Sequence, residues 1–563
     1  MSEIENRAST GAAAASGAFD DLVRTYYRAW FRYHPEAAVD TGDYGYAHLL
    51  TPFTEEEMGA LVCLNDELLV SLDEIDPEAL DPDRRIDYAL VRGAAAIENQ
   101  RLLDVDPRRP DPMRLLPVDA IYQLTIRPVP DFEAALFARL EGIPGHLQAA
   151  RDFLIPRAAD VPSPWAASAA IAAREGIGFL RGLSTHSKLA ASSDRQRFAA
   201  AHAGACQALE AFAGFLEHEI QPLAQGSIAC GGPHFEQLLR NRHFLDVDID
   251  RLYEFGSRLV AATRVELRAA CEALVGSDDM AKALAVVRRE HPTRAALLDV
   301  YRDSMRSAKE FLRTHNLVSL PAVDELEVIE TPAFLRHQIP FAAYCDPAPN
   351  DPTQRGYYYV TPPTDDAELA EHDLVGILHT CAHEAWPGHH LHFVSTNLNP
   401  VARTLPRLLN SSSASYEGWA LYSEQLMHEQ GFLDRPESRF ILLRDRLWRG
   451  LRVMIDIDLH TRGLSLEDAA ERLANHLGFP RSQALADVTW YSRAPTTPLG
   501  YATGWAAINA LRNRVGAAST GLKIFHDRLL AAGAIALPLA IARGFGEEAW
   551  AAVCGELFAP VAA

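Results

Sequence analysis

The segment AHEAWPGHHLH contains histidines and a glutamate at a spacing that could bind a metal ion. His383 and Glu384 begin it as the zinc-protease motif His-Glu-x-x-His does, but Pro387 stands where the second histidine belongs. Histidines follow only at His389 and His390. In a straight helix these two would lie roughly 9 Å and about 10.5 Å along the axis from His383, too far to share one ion.

The proline predicts that the helix is not straight at this point. Pro387 has no N–H to donate to the carbonyl of His383, and its ring clashes with that carbonyl. Gly388 makes the backbone beside it more permissive. We therefore expect a bulge of two or three residues that brings a late histidine back beside His383. The residue pattern leaves both His389 and His390 open as the second ligand.

A third ligand is expected from the downstream helical segment SYEGWALYSEQLMHE. It carries Glu417 and Glu424 on one helical face, and two histidines with one glutamate are the usual ligands of a catalytic zinc with an open position. Glu417 is favoured as the ligand, and Glu424 is expected either to support a ligand or to lie in solvent. Glu384 is then the predicted general base. His379, four residues before His383, forms a rival pair, but no glutamate stands beside it in the right register.

Composition limits the classes of partner. The 563 residues carry 53 Lys and Arg against 75 Asp and Glu, a formal charge of −22, which argues against nucleic acid and anionic membranes. The seven cysteines are scattered and form no CxxC pair. We see no secretory signal at the start of the chain and no apolar run long enough to span a bilayer. We expect a cytoplasmic protein that acts on a small molecule or short peptide. Its oligomeric state is not fixed by the sequence.

Helical periodicity dominates the chain, and only LEVIETP and GYYYVTPP are typical of strands. The predicted fold is therefore mainly α, a large helical metallopeptidase-like fold with a small β element beside the metal helix and two lobes around a cleft. Residues 1–17 are expected to be a disordered tail. Residues 18–563 are expected to form a single helical metallohydrolase domain, with possible lobes over 18–240 and 241–563.

Two motifs, HEAWPGHHL and EGWALYSE, resemble the hallmarks of the bacterial domain-of-unknown-function family 885. Weaker similarity extends the resemblance over residues 19–560. Members of that family are regarded as zinc metallopeptidases of the broad gluzincin type. The resemblance implies one zinc ion held by His383, His389 and Glu417. Alignment of a Gly-His pair in related helical peptidases favours His389, with His390 as the alternative.

The resemblance also implies further site residues. GYYYVTPP would be an edge strand that binds an extended peptide through its main chain, with Tyr358 and Tyr359 in contact with substrate. Tyr501 would donate a hydrogen bond to the developing oxyanion, although a packed tyrosine explains the residue equally well. His460 is retained from a family block and is a catalytic candidate. Arg493 is a candidate for binding a substrate carboxylate.

Three functions are consistent with these residues. The first is a zinc-dependent hydrolase, a peptidase that cleaves amide bonds of short peptides or amino-acid conjugates. The second is a specialised metal-dependent biosynthetic enzyme for a small polar substrate, because the chain departs from the family's pattern at His392 and around Tyr501. The third is a non-catalytic helical scaffold, in which the histidines, 21 in the whole chain, only pack in the core.

Overall fold

The structure is a computed structural model that describes residues 3–106, 108, 110–189, 194–516 and 521–559, with side chains from residue 15 onward. It is mainly helical and contains one small sheet, which confirms the predicted fold class. Short 3-10 and π-helical turns connect several of the helices. Within the described ranges, none of the helices has the length and apolar character that crossing a membrane requires.

The helices are α1 (Glu3–Trp30), α2 (Pro35–Thr41), α3 (Glu55–Asp73), α4 (Pro82–Gln100), α5 (Val118–Ile126), α6 (Phe132–Leu154), α7 (Ser163–Gly182), α8 (Arg195–Phe215), α9 (Gly232–Asn241), α10 (Ile249–Val275), α11 (Met280–Val287), α12 (Leu297–His315), α13 (Asp366–Glu371), α14 (Leu374–Glu384), α15 (His389–Leu398), α16 (Leu405–Leu409), α17 (Ser413–Glu429), α18 (Pro436–Thr461), α19 (Leu466–Leu477), α20 (Arg481–Arg493), α21 (Thr497–Arg514), α22 (Leu522–Leu530), α23 (Leu537–Phe545) and α24 (Glu547–Phe558). The strands are β1 (Glu325–Glu330), β2 (Ala342–Cys345) and β3 (Arg355–Val360).

The first helix begins inside the segment for which the sequence predicts a disordered tail. Residues 1 and 2 of that segment lie outside the described residues, and α1 begins at Glu3. Alanine has the highest helix propensity, so the alanine-rich stretch extends the helix towards the N-terminus. Farther along α1, Phe19 is only 2% exposed and belongs to the core.

The chain divides into two compact units that do not follow a single cut in the sequence. The first unit comprises Met1–Ile228, Pro332–Ile339 and Ala348–Asp351; the second comprises Ala229–Thr331, Pro340–Pro347 and Pro352–Ala563. The main boundary therefore precedes the lobe boundary predicted at residue 240, and two short later segments belong to the first unit. No local pattern in the sequence indicates these two segments. The predicted cleft stays a prediction.

Each unit has its own hydrophobic core. In the first unit the helices bury large aliphatic and aromatic side chains against one another, among them Leu124, Leu136 and Phe212. In the second unit, Ile377 of α14 and Trp419 of α17 lie in one continuous core. Helix α17 is buried along most of its length, as expected for a helix without a consistently polar face.

The sheet has the strand order β1-β3-β2. Strand β1 pairs with β3 in parallel, with Glu325 opposite Arg355, and β2 pairs with β3 in antiparallel fashion, with Tyr344 opposite Tyr358. Both segments predicted as strands are confirmed as β1 and β3. The expectation that GYYYVTPP is an edge strand is wrong, because β3 is the central strand and its backbone is paired on both sides. It has no open edge for a peptide.

Helices α17 and α21 cross at a point where glycines face each other. A Cβ on Gly418 would lie 2.5 Å from the Cα of Gly504, and a Cβ on Gly504 would overlap the carbonyl oxygen of Ala414. A side chain at either glycine would force the helices apart. The close crossing brings Glu417, the neighbour of Gly418, towards Tyr501 of α21.

Candidate metal centre

The unusual histidine spacing is accommodated by a break between two helices. Helix α14 ends at Glu384 and α15 begins at His389. A Cβ at Gly388 would overlap the carbonyl oxygen of His383, so the break depends on glycine as well as on proline. The indole of Trp419 in α17 donates a hydrogen bond of 2.7 Å to the carbonyl of residue 387, which ties the break to the helix that carries Glu417.

The break brings three ligand-type side chains together. Nε2 of His383 lies 3.4 Å from Oε2 of Glu417, and Nε2 of His389 lies 3.2 Å from the same oxygen. One potential ligand atom from each residue lies within 4.8 Å of the others, and all three residues are buried. The cluster of His383, His389 and Glu417 could therefore hold a metal ion.

His390, the alternative second ligand, lies elsewhere. Its Nδ1 is 3.0 Å from the hydroxyl of Tyr344 in β2, and its ring meets Trp386 edge to face. Burial lowers the pKa of His390 to about 3, so the ring is neutral. The side chain thus packs against the sheet, and the structure places His389, not His390, beside His383.

Glu424 lies behind the first histidine rather than in the cluster. Its Oε1 is 2.7 Å from Nδ1 of His383, and its Oε2 is 3.6 Å from Nδ1 of His379. A carboxylate on the far ring nitrogen fixes the orientation and tautomer of a metal-binding histidine. His379 therefore lies next to Glu424 and supports the same carboxylate instead of forming the rival ligand pair.

The protonation of the cluster follows from these contacts. Burial alone would lower the pKa of His383, but hydrogen bonds to Glu417 and Glu424 outweigh it and raise the pKa to about 10. For Glu417, burial is outweighed by the charge of His389 and by the hydrogen bonds from both histidines, so its pKa falls well below the usual range. Glu417 is therefore ionised, as a metal ligand must be.

Glu384 lies at the edge of the cluster. Its Oε2 is 4.0 Å from Nε2 of His389. Burial raises the pKa of Glu384, while the charges of His383 and His389 lower it in part. A carboxyl with a raised pKa beside such a cluster has the character of a general base.

Tyr501 lies on the other side of His383. The two rings stack with centroids 6.3 Å apart and an interplanar angle of 16°. Burial and the charge of Glu417 raise the pKa of Tyr501 well above its usual value. The phenol therefore stays protonated and can only interact with a developing negative charge as a donor.

His460 has structural contacts. Its Nδ1 accepts a 3.3 Å hydrogen bond from the backbone N–H of Cys230, and its Nε2 lies 3.2 Å from the carbonyl of Tyr491. Burial lowers its pKa to about 4. Both ring nitrogens of His460 are thus engaged by backbone groups, and His460 is not one of the three residues of the cluster.

Two predicted substrate-binding residues, Tyr358 and Tyr359, are buried side chains of β3. Tyr358 is fully buried and packs on Tyr301 with ring centroids 5.4 Å apart, and Tyr359 is 3% exposed and stacks on Tyr357. Alternating side chains of a central strand point into the packing on the two sheet faces, which removes both tyrosines from solvent. Arg493 is the half-buried last residue of α20, and its predicted role stays a prediction.

The sequence reasoning missed Arg449 and Arg452 in α18. They are 8% and 5% exposed, and the guanidinium of Arg452 lies 4.4 Å from the ring centroid of Tyr501. The available signal was three arginines at three-residue spacing, Arg446, Arg449 and Arg452, in the segment RLWRGLRVMIDIDLH. Tyr344 of β2 was also missed; its ring stacks against His389 at 6.2 Å.

Residues 35–543 match a protein family described as a bacterial protein of unknown function, DUF885. The chain belongs to this family. No curated protein gives a significant match. Among solved structures, a lipoprotein candidate of unknown function from Shewanella oneidensis is 20% identical with a TM-score of 0.74, over 93% of this chain and 98% of that one. A lipoprotein candidate from Colwellia psychrerythraea is 18% identical with a TM-score of 0.75, and the match covers 96% of this chain and 99% of that one. This chain therefore shares its fold with both proteins over nearly its whole length.

Proposed function

We propose that this protein is a zinc-dependent hydrolase that cleaves amide bonds of short peptides or amino-acid conjugates. The observation that carries the proposal is the convergence of His383, His389 and Glu417 with Glu384 at its edge. Two imidazoles and one carboxylate, with a second carboxylate that is not a ligand, are the set used by catalytic zinc in hydrolases.

The donor set fits a cation. Ionised Glu424 can only accept, so Nδ1 of His383 donates to it and Nε2 of His383 faces Oε2 of Glu417 at 3.4 Å. Nε2 of His389 faces the same oxygen at 3.2 Å. A buried, ionised carboxylate needs a positive charge beside it, which either a protonated His383 or a metal held by His383, His389 and Glu417 would supply.

Zinc, when bound, supplies polarisation of the substrate carbonyl and a lowered pKa for an attacking water. The side chains carry the proton movements. In this proposal Glu384 takes a proton from the water and passes it to the leaving amine. Tyr501 stays protonated, and its proposed role is to donate a hydrogen bond to the negative charge that develops on the carbonyl oxygen.

The test compares wild-type protein with Glu384→Gln after both are loaded with zinc. Each is incubated with a panel of short peptides, peptide amides and N-acyl amino acids, and products are identified by mass spectrometry. We expect the wild type to hydrolyse members of the panel. Glu384→Gln should retain zinc but be at least about 10²-fold slower, as for loss of a general base. Glu429→Gln, at the exposed end of α17, is the matched control.

Two outcomes would overturn the proposal. One is a wild type that binds zinc but hydrolyses no member of the panel, and the other is a Glu384→Gln variant as active as the wild type. Turnover of a small polar compound outside the amide panel would instead favour the specialised biosynthetic enzyme.

We keep the cytoplasm as the proposed location, because the scattered cysteines form no disulfide within the described part of the chain. The lipoprotein description of the two similar structures points outside the cytoplasm for those proteins. Fractionation of bacteria that express the full-length gene product distinguishes the two locations. Recovery with the membrane or periplasmic fraction would overturn the cytoplasmic proposal.

A further inference from the structure

Two buried arginines lie one turn apart on α18. Arg449 and Arg452 are spaced i and i+3, so their side chains leave the same side of the helix. They are 8% and 5% exposed. Arginine is seldom buried to this extent unless its charge and its five N–H groups are matched.

Side chains of the protein satisfy only part of the hydrogen-bonding capacity and charge of Arg449 and Arg452. Nε of Arg452 donates to the hydroxyl of Tyr491 at 2.8 Å, and its Nη2 is 3.8 Å from Oδ2 of Asp487. Nη1 of Arg449 is 3.7 Å from Oδ2 of Asp445. Both ion pairs are longer than hydrogen bonds. Among the described residues, Nε and Nη1 of Arg449 and Nη1 of Arg452 have no hydrogen-bond partner.

Aromatic rings form the walls around the two guanidinium groups. The Cζ atoms of Arg449 and Arg452 lie 4.2 Å and 4.3 Å from the ring centroid of Trp448, and that of Arg452 lies 4.4 Å from the centroid of Tyr501. Aromatic faces attract the cations but accept no hydrogen bonds in the guanidinium plane. The in-plane N–H groups therefore remain available to a planar acceptor.

The arginine pair adjoins the candidate metal centre through one shared residue. Tyr501 contacts Arg452 through its ring and also stacks on His383. A group held by the arginines would thus lie close to the reacting amide.

We propose that Arg449 and Arg452 form a subsite that binds a carboxylate of the substrate, such as the C-terminal carboxylate of a short peptide or of an N-acyl amino acid. The inference rests on the proposed hydrolase function and specifies its substrate class. The paired, planar N–H donors match a carboxylate. Asp445 and Asp487 offset part of the positive charge, which favours a monoanion over a phosphate dianion. The subsite is an alternative to Arg493, for which the sequence predicts the same role.

The test measures binding rather than turnover. Trialanine and trialanine amide differ only in the terminal carboxylate, and their affinities are measured by calorimetry with the full-length Glu384→Gln protein. We expect trialanine to bind at least tenfold more tightly than the amide. Arg449→Gln, added to this protein, should reduce the affinity for trialanine about tenfold and leave the affinity for the amide within twofold. Arg439→Gln, an exposed change on the same helix, should alter neither.

A bound metal could itself take the carboxylate, so the titrations are repeated after a chelator has removed any metal. The proposal predicts that the preference for trialanine persists and still depends on Arg449. Equal affinities for the two peptides in the parent protein would overturn it, as would a preference that disappears with the metal. The parent comparison needs no arginine variant, so a poorly folded Arg449→Gln does not decide the result. A carboxylate preference without hydrolysis of any amide would contradict the hydrolase function alone.

Discussion

Oε1 of Glu424 lies 2.7 Å from Nδ1 of His383, while Oε2 of the same carboxylate lies 3.6 Å from Nδ1 of His379. One buried carboxylate thus connects two histidines that are one turn apart on α14. The contact fixes the ring of His383 with Nε2 towards Glu417. The geometry of the candidate metal centre therefore depends on a residue that does not touch the metal position.

Glu424→Gln should weaken zinc binding by roughly 10- to 100-fold, because the amide removes the charge that orients and polarises His383. Competition with a chromophoric chelator measures the affinity. Glu429→Gln makes the same chemical change at the exposed end of α17 and should leave the affinity unchanged. Equal affinities in the wild type and Glu424→Gln would show that this carboxylate does not support the ligand.

Gly504→Ala should lower the free energy of unfolding by about 1–3 kcal/mol or more, because the new methyl group overlaps the carbonyl oxygen of Ala414 in the facing helix. Thermal unfolding measures the change. Gly555→Ala, in α24, meets nothing within 4 Å and should be neutral or stabilising by about 0.5 kcal/mol. Similar losses in both variants would indicate that the helix crossing is not the cause.

Tyr501→Phe should reduce kcat for amide hydrolysis by roughly 10²- to 10³-fold, as for loss of one oxyanion donor, with little change in zinc affinity. Steady-state kinetics with a substrate from the peptide panel measures it. Tyr422→Phe removes another buried phenol, which bonds His526 at 2.8 Å, and serves as the control for packing. An unchanged kcat in Tyr501→Phe would leave Tyr501 as a packing residue.

Acid stability of the first unit should depend on Glu98. Burial would raise its pKa, but the charge of His34 and hydrogen bonds from His34, Asn65 and Trp30 outweigh it and lower the pKa from 4.5 to about 2. A carboxyl with a lowered folded-state pKa stabilises above the unfolded pKa, and this stabilisation is lost as pH falls from about 4.5 to about 2. The full effect is on the order of 3 kcal/mol.

Glu98→Gln should therefore unfold more easily at pH 7 and lose less stability than the wild type between pH 4.5 and pH 2. Urea unfolding at several pH values measures both effects. Glu175→Gln, an exposed change in the same unit, should follow the wild type. Parallel stability curves for Glu98→Gln and the wild type would contradict the assignment.

The predicted cluster was accessible from sequence because its geometry is largely local. Pro387 and Gly388 dictate a break between His383 and His389, and only backbone rules are needed to see it. Glu417 required one further step, the pairing of a second helix with the first. The residues alone left His389 and His390 open and the family resemblance favoured His389; the structure adds that the ring of His390 contacts Tyr344 of the sheet.

Other expectations failed where the answer depends on distant packing. The sequence shows GYYYVTPP as a strand, but its central position depends on β1 and β2 joining it from either side. His460 was a catalytic candidate because it is retained from a family block, yet its nitrogens contact the backbone of Cys230 and Tyr491. Arg449 and Arg452 carry no local motif, and their proximity to Tyr501 arises only when α18 packs beside α21.

The most direct test of the metal centre is the zinc content of protein purified without chelator, measured by elemental mass spectrometry. Wild type, His383→Ala, His389→Ala and Glu417→Ala are compared, with His390→Ala as the matched control for a neighbouring buried histidine. We expect about one zinc ion per chain in the wild type and in His390→Ala, and a loss of zinc in the other three. No zinc in the wild type after zinc is added back, or zinc lost in His390→Ala but kept in His389→Ala, would contradict the assignment.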